Sequence, residues 1–299
     1  MYCRQRTLAG IASCSGVGVH SGRKVNLTIK PAPVNHGIKF VRTDLLDSPE
    51  IAARFNRVVD TSLATVIGYD GFIVSTIEHL MATFAGLSVD NALVEVDAHE
   101  MPIMDGSAGP FTRLIQAAGI QEQDAPRCVF VIRKAITLEK DGKSVSIFPY
   151  PGYKITCSIE YDHPLIRHQT FSADITDQVF IKEISGARTF GFFHEIEYLK
   201  KVGLAIGGSL DNAVVVAENG VLNTDGLRFP DEFVRHKILD CIGDFSLLGL
   251  PIVGHIVTYK SGHAFHHAFL EKFFLEKSSW ETCTLPSNCD TTDFDGHCC

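Results

Sequence analysis

The sequence predicts an α+β protein of two similar domains, and three observations carry that expectation. Short β-rich runs separated by turns fill residues 17–70 and return in the stretch from 128 to 160. Helical periodicity appears only in separate segments between and after them. Both halves run in the same order of strands, helix, strand, turn and helix, although no residues visibly repeat. Any duplication therefore lies in the fold and not in the letters.

In chain order, "KVNLTIKPAP", "GIKFVR", "IAARFNRVV" and "ATVIG" read as strands, being rich in β-branched residues and bounded by turn formers. The first helix is expected to open at Ser75 and close at Gly86. Ser75 and Glu78 have literal capping-box spacing, in which Glu78 would only satisfy the helix N-terminus. A strand "NALVEVDA", the turn-rich "MPIMDGSAGP" and a helix "FTRLIQAAG" complete the first half. Polar, proline-containing "QEQDAPR", residues 121–127, is the expected break, giving domains of 1–124 and 125–280. The second half opens with "CVFVIRKAITLEK", "SVSIFPY" and "YKITCSIEYD" as strands. A helix around "HEIEYLKKVG", a strand "NAVVVAE", the turn "NTDG" and a long helix opened by "PDEFVRHK" follow. The strand "GHIVTYKSG" and the helix "HAFHHAFLEKFFLEK" come last. Residues 281–299 show no periodicity and are expected to form a flexible tail.

A chain of 299 residues with 45% hydrophobic and 21% charged residues is globular and long enough for two cores. The net charge of −8 and pI near 5.9 exclude a general affinity for nucleic acid, which needs a broad basic surface. An anionic small substrate would need a local basic patch. "MYCRQRTLAGIASCSG" lacks the continuous apolar core of a signal peptide. No stretch approaches the ~18 uninterrupted apolar residues of a membrane helix, so a cytoplasmic protein is expected. Four of the nine cysteines fall in the last 17 residues, and no CxxC pair occurs. In a reducing compartment the internal cysteines read as small apolar residues.

The chemistry concentrates in "VRHKILDCIGD", residues 234–244. Val234, Ile238, Cys241, Ile242 and Phe245 recur at core spacing, while His236, Asp240 and Asp244 recur every four residues on another side. Such a row is either a solvated face or a metal face, since imidazole and carboxylate are both zinc ligands. In "STIEH", Glu78 precedes His79, and a carboxylate beside a histidine ligand can serve as a base in metal-assisted hydrolysis. His263, in "KSGH", falls at the start of the last helix, where a carboxylate such as Asp244 would restore a charged imidazole. His266 and His267 read as surface or packing positions. "LAIGGS" lacks the spacing of a phosphate loop, and no GxSxG elbow is present.

The motifs "VGVHSG", "STIEHLMATFAGLSVDN", "PIMDGSAGPF", "RTFGF", "IGGSLDNAVVV", "NTDGLRFPDEFVRHKILDCIGD" and "YKSGHAFHH" stand in one order along the chain. Together the sequence resembles the UDP-3-O-acyl-N-acetylglucosamine deacetylases, zinc enzymes of lipid A synthesis, from about residue 2 to about residue 280. The resemblance implies an active site between two α+β domains and removal of the acetyl group from the sugar's 2-acetamido nitrogen. It implies one Zn²⁺ per chain on His79, His236 and Asp240, a donor set that also suits iron(II). By the same resemblance Glu78 is the general base, His263 the general acid, Asp244 its support, Lys237 a neighbour of the metal site and Thr189 a holder of the oxyanion. Asp105 and His20 are weaker candidates beside the metal and substrate.

The resemblance also implies an acyl passage through Phe190, Phe192, Ile196 and Gly208, and a diphosphate flanked by Lys143, Arg188 and Lys260. Phe192 and Ile196, four residues apart in a helical stretch, are expected to share a face. The partner implied is a UDP-linked 3-O-acylated amino sugar. Nucleic acid is not expected, a peripheral contact with a membrane is left open, and a monomer is expected. In "DTSLATVIG", Ala64 or a neighbour stands where some relatives carry a cysteine near the metal. Two other readings stay open on the sequence: a nucleotide-sugar or acyl-chain binding protein without catalysis, and a zinc amidase for another substrate.

Overall fold

A computed structural model of the chain describes residues 2–286. Strands β1 (Arg4–Leu8), β2 (Ala12–Val17), β3 (Lys24–Pro31), β4 (Ile38–Arg42) and β5 (Ile51–Ala52) open the fold. Then come β6 (Val58–Asp60), β7 (Val66–Tyr69), β8 (Phe72–Val74), helix α1 (Glu78–Gly86), β9 (Ala92–Val96), α2 (Gly109–Ala118) and β10 (Ile120–Pro126). A five-stranded sheet runs β2-β3-β9-β4-β5, with a three-stranded β6-β7-β8 beside it. Alternation along β3 puts Val25, Leu27 and Ile29 inward, the period-2 pattern of a half-buried strand.

The second half begins with β11 (Cys128–Ile132), β12 (Ile136–Lys140), β13 (Lys143–Phe148), β14 (Tyr153–Glu160) and β15 (His168–Asp174). It continues through the short α3 (Asp177–Val179), β16 (Phe190–Phe192), α4 (Phe193–Lys201), β17 (Val214–Ala217) and β18 (Gly220–Val221). Helix α5 (Glu232–Ser246), β19 (Ile252–Tyr259), α6 (His263–Leu275) and β20 (Trp280–Thr284) close it. The central strand β19 pairs with β13, β14 and β11 in a seven-stranded sheet. One hydrophobic cluster runs through both halves, joining Leu27, Phe84 and Phe111 to Ile155, Leu239 and Phe269. The mixture of helices with several sheets is the expected α+β class.

Four local expectations are corrected. The capping box does not form: α1 starts at Glu78 with no side-chain cap, and the Glu78 carboxylate instead accepts the Thr65 N–H at 3.0 Å. The expected break lies inside β10, which pairs antiparallel with β1, so residues 120–126 are a paired strand and not a linker. The expected tail also starts too early. Strand β20 pairs with β11 from Cys128↔Thr284 to Ile132↔Trp280, satisfying an edge that would otherwise expose its amides. The remainder of that tail, residues 287–299, lies outside the described residues. Phe192 ends a strand, so it does not share a helical face with Ile196 on α4. Among the cysteines, Cys14, Cys128, Cys157 and Cys241 are free as expected, whereas Cys3 and Cys283 are disulfide-bonded.

Arg188 is also not the free cation that a diphosphate would need. Its side chain is 2% exposed, and Nε and Nη2 donate to the Glu232 carboxylate at 2.8 and 3.1 Å. Nη2 donates further to the Gly226 carbonyl at 2.7 Å. Glu232 lies in the first turn of α5 and is fully buried, so this fork ties the start of that helix to the strand entering the site. Removing one partner of a buried pair strands the other charge. Arg188→Met is therefore expected to destabilise the fold by ~3–5 kcal/mol. Adding Glu232→Gln should recover part of the loss, and denaturant unfolding of the single and double variants checks both.

Candidate active site

Two helices build the site. α1 presents Glu78 and His79 from its first turn, and α5 presents His236, Asp240 and Asp244 along one side. The i, i+4 spacing stacks those three side chains, and all five residues are buried. The helices approach closely because Gly243 has no side chain: an added Cβ there would overlap the Glu78 carbonyl oxygen. The backbone just before α1 is held in the left-handed region at Thr76 (φ 62°), unusual for a β-branched residue. Lys260 (φ 51°) does the same just before the turn that delivers His263. Such conformations cost on the order of 1–3 kcal/mol each and persist where the surroundings over-determine them.

His79, His236 and Asp240 place one candidate ligand atom apiece within 4.8 Å of the others. His236 donates Nδ1–H to the Ala187 carbonyl at 3.0 Å, because a carbonyl can only accept. In the neutral ring Nε2 then carries a lone pair, and that atom lies 3.2 Å from Asp240 Oδ1. The His79 Nε2 is 3.9 Å from the same oxygen. Burial and the neighbouring His236 push His79 down to about 3, so this imidazole is neutral near pH 7. Asp240 Oδ1 is buried without a hydrogen-bond partner, while Oδ2 accepts from Lys237 Nζ at 2.9 Å. The short His236–Asp240 approach is thus not a hydrogen bond but two electron pairs facing one another. Lone pairs converging on an orphaned carboxylate oxygen fit a divalent cation. The outward bond to Ala187 is the kind that orients a histidine ligand.

Beside this cluster stand two further ionisable groups. Burial pushes Glu78 up to about 7, against the pull of His263. Burial would lower His263, but the Asp244 carboxylate overrides it and lifts the imidazole to about 10. His263 Nε2 faces Glu78 Oε1 at 3.8 Å, and its Nδ1 donates to Asp244 Oδ2 at 2.8 Å. Near neutral pH one group can therefore accept a proton while the other can give one. Asp244 also accepts from Thr65 Oγ1 at 2.6 Å and from His266 Nδ1 at 2.7 Å. Sequence reasoning missed both. Thr65 is 179 residues from Asp244, so nothing local points to it. For His266 a signal existed, its i, i+3 spacing from His263, which puts both rings on one side of α6.

The other expected residues divide. Half-buried Thr189 lies two residues beyond Ala187, with its N–H on the Gly106 carbonyl and its own carbonyl on the Val214 N–H. Phe190 and Phe192 are half-buried on β16, with the Tyr161 ring 5.8 and 5.7 Å from theirs. His163, 5.6 Å from Phe192, joins this aromatic wall and was also missed. Ile196 is half-buried on α4, a helix with no fully buried residue. Gly208 follows the turn at Ala205. Lys143 and Lys260 come together through register: Ser144 pairs with Tyr259 in antiparallel strands, so each lysine is one residue beyond that pair. They meet at the end of β19 that leads to His263, where Lys260 also contacts Glu160 at 3.1 Å. Asp105 is occupied by Arg228 at 3.0 Å and by Ser107. His20 gives its N–H to Glu100, and its ring Nδ1 is buried without a partner.

A cavity of about 940 Å³ lies elsewhere, lined by Met81 and Phe84 of α1, Ile242 and Phe245 of α5 and Tyr153 of β14. None of the metal, base or acid candidates lines it. The site is placed by its chemistry, not by the volume of that cavity.

Comparison with known proteins identifies a family and close relatives. A sequence model of the family described as UDP-3-O-acyl N-acetylglycosamine deacetylase matches residues 5–275. A UDP-3-O-acyl-N-acetylglucosamine deacetylase of Myxococcus xanthus (strain DK1622) is 55% identical over 277 residues, 93% of this chain and 88% of that protein. The protein of that name from Pseudomonas entomophila (strain L48) is 51% identical over 280 residues, 93% of this chain and 92% of its own. One from Chromohalobacter salexigens is 49% identical over 290 residues, 96% of each. With nearly its whole length matched at such identity, this chain belongs to the UDP-3-O-acyl N-acetylglycosamine deacetylase family.

Proposed function

We propose that this chain hydrolyses the 2-acetamido group of a UDP-3-O-acyl-N-acetylglucosamine, releasing acetate and the free amine for lipid A biosynthesis. The observation that carries the reading is the orphaned Asp240 Oδ1 facing two imidazole nitrogens, next to an acid and a base of opposite protonation. His79 and Asp240 come from the two sides of residue 124, so the site needs both halves of the chain. Incubation with the UDP-linked, 3-O-acylated sugar should yield equal amounts of acetate and free amine. Intact substrate after prolonged incubation with metal-loaded protein would refute the assignment.

His79, His236 and Asp240 would hold one Zn²⁺. A bound zinc lowers the pKa of water toward ~7 and polarises a carbonyl. Glu78 takes the proton of the attacking water. Thr189 donates to the oxygen that becomes anionic, and the half-buried Lys237 ammonium, held charged by Asp240, adds positive charge nearby. His263 Nε2 then protonates the departing nitrogen, so the C–N bond breaks to a neutral amine. Lys143 and Lys260 would meet the diphosphate, a reading supported by the register of β13 and β19, and Phe190, Phe192, Ile196 and Gly208 would line the path of the acyl chain. Acyl-bearing and anionic chemistry fits this pairing better than a peptide does.

Elemental analysis should find one divalent ion per chain, and it separates zinc from iron(II). His79→Ala and His236→Ala should each lose the ion and the activity together. A full complement of metal in either variant would remove that residue from the ligand set.

Glu78→Gln preserves shape but cannot accept a proton. Turnover should fall ~100-fold or more with metal retained, since general bases contribute factors of that size. In the parent protein kcat/KM should be bell-shaped in pH. Its acidic limb follows Glu78, at or below about 7 because a bound cation favours the carboxylate. Its basic limb follows loss of the His263 proton. A flat profile across neutral pH would count against the pair.

Cutting back the acyl path separates lining from core. Ile196→Ala should spare the melting temperature and weaken a long-chain substrate by roughly 1–3 kcal/mol relative to a short-chain analogue, the worth of a few methylenes in an apolar pocket. Equal losses on both substrates with a large drop in melting temperature would make Ile196 a packing residue.

A further inference from the structure

Asp244 is the most heavily used carboxylate of the site. Oδ1 accepts from Thr65 Oγ1 at 2.6 Å, and Oδ2 accepts from the Nδ1 of both His263 (2.8 Å) and His266 (2.7 Å). Since a carboxylate only accepts, both rings must carry their proton on Nδ1. His266 is buried, edge-on to Phe245 at 5.8 Å, and its Nε2 meets Ser261 Oγ at 2.8 Å. Ser261 lies two residues before His263, in the turn entered through the left-handed Lys260. The His266 ring therefore spans from the carboxylate that binds the proton donor to the turn that delivers it.

We propose that His266, braced by Ser261, is a positioning residue for the proton donor. It locks the Asp244 carboxylate so that His263 keeps Nδ1 bound and turns Nε2 toward Glu78. The inference rests on the reading of His263 as the general acid. Without His266, Oδ2 would be held only by the ring it has to orient. The Asp244 side chain would then be free to rotate about the Thr65 bond, carrying His263 out of line. A misplaced acid slows the chemical step and leaves substrate binding largely intact, so the loss belongs in kcat and not in KM.

Three variants separate positioning from packing. His266→Phe keeps the ring and its contact with Phe245 but loses both hydrogen bonds. In His266→Asn the side-chain amide stands where Nδ1 was and restores the bond to Asp244. His266→Gln puts its amide where Nε2 was and restores only the bond to Ser261. Metal content and melting temperature are measured beside kcat and KM on the UDP-linked acylated sugar. The expected result is a kcat lower by about 10-fold or more in the Phe and Gln variants, with KM within about twofold, in line with the loss of outer partners that orient a functional imidazole. The Asn variant should regain most of the loss. Histidine ¹⁵N spectra should keep the deshielded His263 Nδ1–H signal in the Asn variant and lose it in the Phe variant. Wild-type kcat in the Phe variant overturns the proposal, and so does an Asn variant as slow as the Gln variant. If the Phe variant fails to fold, the Asn and Gln pair decides alone. His263→Ala is the control: normal turnover there would sink the acid assignment itself, whatever the His266 variants do.

Discussion

Everything in the site depends on how closely α1 and α5 can cross. Gly243 sits against the Glu78 carbonyl, and any side chain at that position would hold the helices apart. At contact distance, the first turn of α1 faces the His236–Asp240–Asp244 row of α5. Glu78 then stands beside His79, His236 and Asp240 and within 3.8 Å of His263. A displacement of one helix by the width of a methyl group would separate those groups, and catalysis is sensitive to shifts of that size. The crossing is held by the core around it, by the Arg188–Glu232 fork at the head of α5, and by the Phe55 N–H bonding to the Leu247 carbonyl just past its end.

The same crossing concentrates charge where water cannot reach it. Glu78, Asp240, Asp244, His79 and His236 are buried together with the half-buried Lys237 against them, an arrangement that is unfavourable unless each charge is answered. Lys237 answers one oxygen of Asp240, and three donors answer Asp244. Two groups are left incomplete: the other Asp240 oxygen and the Glu78 carboxyl, which burial holds at about 7. Incompleteness at these two points is what equips the site to take a cation and a proton. A fully satisfied network would be more stable and inert.

Most of the site was legible because its members lie close together in sequence. His236, Asp240 and Asp244 stand out by spacing, and Glu78 with His79 by adjacency, although spacing alone left a solvated face and a capping box open and the family resemblance supplied the candidate roles. The rest is carried by bonds between distant segments. Thr65 reaches Asp244 across 179 residues, and the Ala187 carbonyl that sets the His236 tautomer is 49 residues from the ring. Arg188 shows the opposite failure. The resemblance implied a neighbour of the diphosphate, but a fully buried carboxylate on α5 claims the guanidinium. Sequence shows that a cation is present but not what it faces.

What the sequence by itself determined is the α+β class and the helices on which titratable residues gather, since these follow from periodicity, while the candidate ligand set of His79, His236 and Asp240 came from the resemblance of its motifs to a family. Tertiary structure alone decided that a polar, proline-bearing stretch would pair as β10, that β20 would cover the edge of β11, and that the capping-box glutamate would turn from its own helix to the Thr65 amide. In each case a backbone or carboxylate group found a partner far along the chain. Local propensities differ by tenths of a kcal/mol, whereas leaving a buried polar group unpaired costs ~1–3 kcal/mol, so the distant partner prevails.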